Sequence, residues 1–199
     1  GSWKPQRNWM PVHVTKASGV YFWDERNNRY LDFSSQVVCS NLGHGNETVV
    51  KAIIDQAAHL PFIHSTFASE ILAQLCELLN EVVPKHLVKY FLSTSGTEAN
   101  EAAIKIARTY TGRRKIVTRY RSYHGSTLGS MSVSGDFRRI AIEAHGKAPG
   151  TVFAPDAYCY RCPFGLSYPD CSLACVEYVD YILQHEGDVA AVLLGPIDG

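Results

Sequence analysis

Phe91-Leu92-Ser93-Thr94-Ser95-Gly96-Thr97-Glu98-Ala99-Asn100-Glu101-Ala102-Ala103 decides how the rest of this chain is read. An apolar run feeds a short Ser/Thr/Gly turn, which opens directly onto a helical pattern. Ser95 and Glu98 have the spacing of a capping box, and Glu101 with Lys105 has that of an i,i+4 ion pair. Ala99, Ala102, Ala103 and Ile106 would give the helix a small, close-packing face. Such a start leaves main-chain N–H groups without partners at the positive end of a helix dipole, with hydroxyls beside them. Gly96 lets a ligand approach the backbone with no Cβ in the way. The turn suits a phosphate or a carboxylate. It equally suits a well-capped helix that binds nothing, and local physics leaves both open.

Downstream, strands and helices alternate. The pattern predicts strands at Val88–Leu92, Lys115–Arg119, Thr151–Ala154 and Val189–Leu194. Helices are predicted over Thr97–Thr109 and Leu173–Gln184, with a loop and short helix between His124 and Met131. This order argues for an α/β fold with a mostly parallel sheet and helices on its faces. Upstream, Val20-Tyr21-Phe22-Trp23 and Tyr30-Leu31-Asp32-Phe33 flank Asn27-Asn28, a hairpin signal. Two helical patterns follow, one carrying Val49, Val50, Ile53, Ile54, Ala57 and Ala58. The other runs from about Ser69 to Val82, with Pro84 beyond it. The chain ends at Gly199, just past the last predicted strand, a pattern that suggests truncation.

Lys plus Arg and Asp plus Glu both number 19, so no global field draws in nucleic acid or an anionic membrane. No apolar run approaches the ~18 residues of a membrane span. Gly1-Ser2 reads as a remnant of expression, with no secretory signal after it. Six cysteines are too few and too clustered for a secreted disulfide scaffold, which favours a cytoplasmic setting. Four of them, Cys159, Cys162, Cys171 and Cys175, have the outline of a structural zinc site. Their spacing is not that of the common zinc ribbons, and small buried thiols or disulfides account for the same residues.

Ser95-Gly96-Thr97-Glu98-Ala99-Asn100-Glu101-Ala102, followed by Ile104-Lys105-Ile106-Ala107-Arg108, resembles the cofactor-phosphate loop and helix of class III (omega) pyridoxal-phosphate-dependent aminotransferases. Tyr123-His124-Gly125-Ser126-Thr127 resembles that family's aromatic-His-Gly block. Leu31-Asp32-Phe33 and Asn41-Leu42-Gly43-His44-Gly45 resemble its N-terminal segment. The blocks come in the family's order and cover most of the chain from about Val12 onward. The resemblance implies the N-terminal part of a fold type I enzyme. Residues 1–60 would be a small-domain segment, and 61–199 the first portion of the large cofactor-binding domain. It further implies that Gly96 and Thr97 hold the phosphate of pyridoxal 5'-phosphate with help from Ser95, that Tyr123 stacks on the pyridine ring, and that His124 supports the ring or its neighbours. For the last two, a core aromatic and a structurally bonded imidazole are the alternative.

In the family a lysine carries the cofactor and moves the reacting proton, and an acidic residue keeps the pyridine nitrogen protonated. No lysine here, at 4, 16, 51, 85, 89, 105, 115 or 147, stands in a context resembling that one, so this chain alone is expected to be inactive. The family usually has Glu before Pro196, where this chain has Gly195, and Asp198 is a poor stand-in. The implied activity of a longer parent is transfer of an amino group from a primary amine or omega-amino acid to a 2-oxo acid, in a homodimer. An aminomutase, racemase or lyase of the same fold, or a non-catalytic truncated module, are the competing readings.

Overall fold

The structure is a computed structural model that describes residues 9–144 and 146–196. It divides into two compact units, Gly1–Val83 and Pro84–Gly199.

The first unit opens with an antiparallel sheet in the order β1 (Val14–Ser18), β2 (Tyr21–Asp24), β3 (Arg29–Leu31). One carboxylate makes the β2–β3 hairpin. Asp24 accepts the main-chain N–H groups of Arg26 and Asn28, the Asn28 side-chain amide and the Tyr30 hydroxyl, each at 2.9 Å. These bonds, that of the Asn28 side chain foremost, hold its pKa below the usual aspartate value. Asn27 takes φ 61°, which the turn needs and asparagine tolerates. Next comes a single helical turn, α1 (Ser35–Val38), that is left-handed: φ is positive at Ser35, Gln36, Val37 and Val38. For L-residues this hand costs about 1–2 kcal/mol each. Asp32 anchors the turn by accepting the Gln36 N–H at 3.2 Å, and also meets His44 Nε2 at 2.8 Å. Nothing in the pattern of two β-branched valines foretells such a turn. Helices α2 (Glu47–His59) and α3 (Glu70–Val82) occupy the predicted positions, and neither has a buried residue. The division between the two units falls after α3, at Val83.

In the second unit, helix α4 (Gly96–Thr111) precedes β4 (Lys115–Arg119), the centre of a parallel sheet. The order is β5 (Thr151–Ala154), β4, β6 (Val189–Leu193). Between β4 and β5 lie two short helices, α5 (Leu128–Ser132) and α6 (Ile140–Glu143). Helix α7 (Ala174–Glu186) joins β5 to β6. Successive residues of β4 face opposite sides, as a pleated strand requires. Ile116 packs with Ile104 and Val133 on one side, and Val117 with Ala154 and Ile182 on the other. Two expectations fail. Residues 88–92 form no ladder, because no described strand pairs with them: the parallel sheet is β5-β4-β6 alone. The buried face of α4 is Ala102 with Ile104, while Ile106 is 55% exposed, because α4 meets the sheet along the stripe that includes residue 104.

That corrected face has a measurable consequence. In this chain Ile104→Ala should cost about 2–5 kcal/mol, and Ile106→Ala should stay within about 0.5 kcal/mol, by urea unfolding. Comparable losses at the two positions would mean that the helix presents the originally expected face.

Candidate functional site

The direction of α4 decides where its free amides lie. At its C-terminal end Gly112 adopts φ 65° and returns its N–H to the Arg108 carbonyl at 3.0 Å, a left-handed glycine cap. Arg108 there donates to the carbonyls of Arg114 and Pro149, just ahead of β4 and β5. The head of α4 therefore lies beside the loop that leaves the carboxyl end of β4. Two bonds fix that contact: Ser126 N–H donates to Thr97 Oγ1 at 3.1 Å, and the Asn100 side chain donates to the His124 carbonyl at 2.6 Å. The carboxyl edge of a parallel sheet is where open α/β folds bind ligands.

Ser95 is the N-cap, in extended conformation, and its hydroxyl accepts the Glu98 N–H at 3.2 Å. The other half of the capping box is displaced by one residue. The Glu98 carboxylate accepts both the main-chain N–H of Thr94 at 2.8 Å and its hydroxyl at 2.7 Å, rather than the Ser95 N–H. This arrangement leaves an opening. Among the described residues no acceptor serves the main-chain N–H groups of Ser95, Gly96 and Thr97. Ser95 and Gly96 are exposed, and a Cβ built on Gly96 would meet nothing within 4 Å. Thr97 Oγ1 already accepts from Ser126, so its proton remains available to an acceptor. Three amides without an acceptor, a hydroxyl proton and a helix dipole thus lie together at the head of α4.

Tyr123 stands at the rim, 42% exposed, with its hydroxyl 2.7 Å from Ser126 Oγ and the Arg138 guanidinium 3.8 Å from the ring centre. His124 is buried. Its Nε2 lies 3.1 Å from Thr118 Oγ1 on β4, and its N–H donates to Ser134 Oγ at 2.9 Å. Gly125 is the hinge of this loop. It has φ 145°, and a Cβ there would fall 2.4 Å from Ser130 Oγ and 2.5 Å from Thr97 Oγ1.

Sequence reasoning misplaced Glu101. Its carboxylate turns from Lys105 to the hydroxyl of Thr127 and the main-chain N–H of Ser130, capping α5. The N–H groups at the head of α5 lack helical partners and draw the carboxylate more strongly than a solvated ammonium. Asn100 and Glu101 were also missed as site builders, although they follow Thr97 at i+3 and i+4, the spacing of one helix face. Lys115 pairs with Glu186 at 2.5 Å. Gly195 contributes its carbonyl, which accepts from Arg119, while Asp198 lies outside the described residues. All six cysteines are free, and Cys159, Cys162, Cys171 and Cys175 line one cavity of about 30 Å³. Among the described residues no three Cys, His, Asp or Glu side chains form a group that could hold a metal ion. No helix of the described residues is long and apolar enough to cross a membrane.

A parallel sheet with an anion-ready helix head at its carboxyl edge, preceded by a small antiparallel sheet, is part of the fold type I architecture of pyridoxal-phosphate transferases. A family model described as aminotransferase class-III matches residues 3–199, and the chain belongs to that family. A leucine/methionine racemase of Thermococcus litoralis is 39% identical over 198 residues, covering 96% of this chain and 44% of that protein. An acetylornithine aminotransferase of Listeria innocua is 38% identical over 152 residues, covering 76% of this chain and 38% of that protein. The solved taurine:2-oxoglutarate aminotransferase of Bifidobacterium kashiwanohense, in complex with PLP and glutamate, superposes with a TM-score of 0.88 at 39% identity. That match covers 100% of this chain and 46% of the solved one. The chain thus spans less than half the length of these relatives.

Two measurements probe the geometry. The bonds from Thr94, its hydroxyl first, lower the Glu98 pKa. A carboxylate lowered on folding stabilises the fold above its unfolded pKa, and that contribution disappears as pH falls through the folded value. Glu98→Gln should therefore reduce stability at neutral pH and remove part of its acid dependence; an acid limb unchanged from the parent would refute the assignment. Gly125→Ala forces a Cβ against two hydroxyls at a left-handed φ, and should destabilise the chain by about 1–3 kcal/mol in chemical unfolding.

Proposed function

We propose that the head of α4 and the loop after β4 form the phosphate-holding part of a pyridoxal 5'-phosphate site in an enzyme that moves an amino group from a primary amine or omega-amino acid to a 2-oxo acid. The observation that carries this reading is the set of three partnerless amides at residues 95–97, opening onto free space at a helix N-terminus. Membership in a family that uses this cofactor supports it. The residues present suit the group: amides and a hydroxyl proton match a dianion's acceptor oxygens, and a half-exposed tyrosine ring at the rim matches a flat heteroaromatic.

When bound, the cofactor supplies an aldehyde and an electron-accepting ring on which amino groups are exchanged. This chain's own residues do the holding. Main-chain N–H groups of Ser95, Gly96 and Thr97 bind the phosphate, and the Thr97 hydroxyl donates to it while Ser126 fixes its orientation. Tyr123 covers one ring face. His124, turned inward to Thr118, holds the loop's backbone so that Tyr123 and Ser126 keep their places. Among the described lysines, Lys115 pairs with Glu186, Lys51 with Asp55, and Lys16 lies over the Trp23 ring. The proton transfer and the contact to the pyridine nitrogen are assigned to further chain in a longer protein, working as a homodimer. Residues 1–60 belong to its small domain and 61–199 to its large one, in a cytoplasmic setting.

A second reading has a specific basis, since a relative 39% identical is a leucine/methionine racemase and another, 35% identical, an isoleucine 2-epimerase. Both readings share the phosphate site and part at the fate of the amino group. Incubating the full-length protein with an amine and pyruvate separates them: the transferase yields alanine stoichiometrically, whereas the racemase inverts a free amino acid and yields none.

Gly96→Asp tests the phosphate site itself. Asp at the first helical position meets open space and favours the dipole, so the fold should persist. Its charge occupies the anion's place, and the affinity for inorganic phosphate by calorimetry should drop about tenfold or more. Unchanged affinity in a folded Gly96→Asp variant would remove the site from this location.

A further inference from the structure

Arg138 is absent from every motif that suggested the site, yet it touches the site's one exposed aromatic. Its guanidinium lies 3.8 Å from the Tyr123 ring centre, and its Nε donates to Asp136 Oδ2 at 2.6 Å. Asp136 is itself fixed: Oδ1 accepts the Arg138 main-chain N–H at 2.9 Å, and its own N–H donates to the Ser122 carbonyl at 3.0 Å. Ser122 immediately precedes Tyr123, so the residues form a closed loop of contacts that starts and ends at one stretch of backbone. The Tyr123 hydroxyl is held at the other end of the ring by Ser126.

We infer that Arg138 is a positioning residue for the cofactor ring, acting through Tyr123. The inference rests on the site reading proposed above. A phenol fixed only at its hydroxyl can still tilt about its long axis. A cation held against one face removes that freedom, since displacing the ring from the guanidinium loses the attraction to its quadrupole. Tyr123 remains 42% exposed, so the guanidinium covers one face and leaves ring surface open for a flat heteroaromatic. Preorganising the ring lowers the ordering cost of stacking and leaves the phosphate contacts at residues 95–97 untouched. The charge of Arg138 is partly cancelled by Asp136, which argues against a plain electrostatic pull on the phosphate.

The test uses the full chain free of cofactor, with two probes: inorganic phosphate, and pyridoxine 5'-phosphate, which has the ring but no aldehyde. Arg138→Ala should weaken pyridoxine 5'-phosphate about three- to tenfold. Inorganic phosphate should hold within about twofold, as expected for a residue that acts on the ring alone. Arg138→Met keeps the packing stem and should lose the same affinity. Arg138→Lys, which restores a cation, should recover part of it. In a Tyr123→Leu background, Arg138→Ala should have no further effect. If the parent binds no inorganic phosphate, the site reading fails and this inference with it. If phosphate binds but pyridoxine 5'-phosphate affinity is equal in the parent and in Arg138→Met, the site stands and the role of Arg138 is overturned. Equal weakening of both probes would also overturn it, by making Arg138 a general electrostatic or structural element.

Discussion

A helix that packs against a parallel sheet and feeds the next strand through a short turn must run opposite to that strand. In this chain Gly112 makes the turn, Arg108 ties it to the loops ahead of β4 and β5, and α4 is committed to presenting its amide end at the sheet's carboxyl edge. That geometric necessity organises the second unit. The loop leaving β4 emerges at the same edge and closes on the helix head through Ser126 and Asn100. What remains is a small number of donors: the Gly96 and Thr97 amides of the first helical turn, and the Ser95 amide, left open because the Glu98 carboxylate that could have closed on it is engaged one residue earlier, at Thr94.

The loop is held from beneath by hydroxyls. Thr118, Ser122, His124, Ser130, Ser132 and Ser134 are all buried. Buried polar groups are tolerable only when bonded, and these are bonded to one another and to nearby backbone. Ser134 takes the His124 N–H and donates to the Ser130 carbonyl, Ser122 donates to the Arg119 carbonyl, and Ser132 donates to the Leu128 carbonyl. An apolar core would accept several arrangements of the same loop at similar energy. A fully bonded polar one penalises each departure with an unsatisfied group. Gly125 enforces the same outcome sterically, since two hydroxyls stand where its Cβ would be.

Much of this was legible in the sequence. Strands β4 and β5 fall at the predicted residues, and the long helices α3, α4 and α7 fall within about two of them, because their signals are local: apolar runs, caps and breakers. The turn at residues 93–97 was legible for the same reason, with Ser95 as the N-cap of the helix that starts at Gly96. The sequence misled where the outcome depends on partners distant in the chain. Residues 88–92 have a strand's composition, but a strand is defined by a neighbour, and none of the described strands is one. Glu101 had a plausible partner four residues on and was won instead by groups 26 and 29 residues away. Arg138 carries no local signal, since its target lies across the α5 crossover. The left-handed turn at Ser35–Val38 runs against the propensities of its residues, and the one anchor seen for it is the neighbouring Asp32 carboxylate, which accepts the Gln36 N–H.

His124 bears on how such a site is built. The histidine of an aromatic-His-Gly block invites a role in contact with ligand. Here the ring is buried with Nε2 against the Thr118 hydroxyl, while its main-chain N–H and C=O are both taken, by Ser134 and Asn100. A residue bonded through backbone and side chain at once cannot move without breaking several bonds together. The residues on either side of it inherit that rigidity: Tyr123, which offers a ring face, and Gly125-Ser126, which close on Thr97. The arrangement divides the work, with an interior imidazole fixing the backbone and its neighbours facing outward. It also explains why one short block of sequence can serve both the core and the surface of the same site.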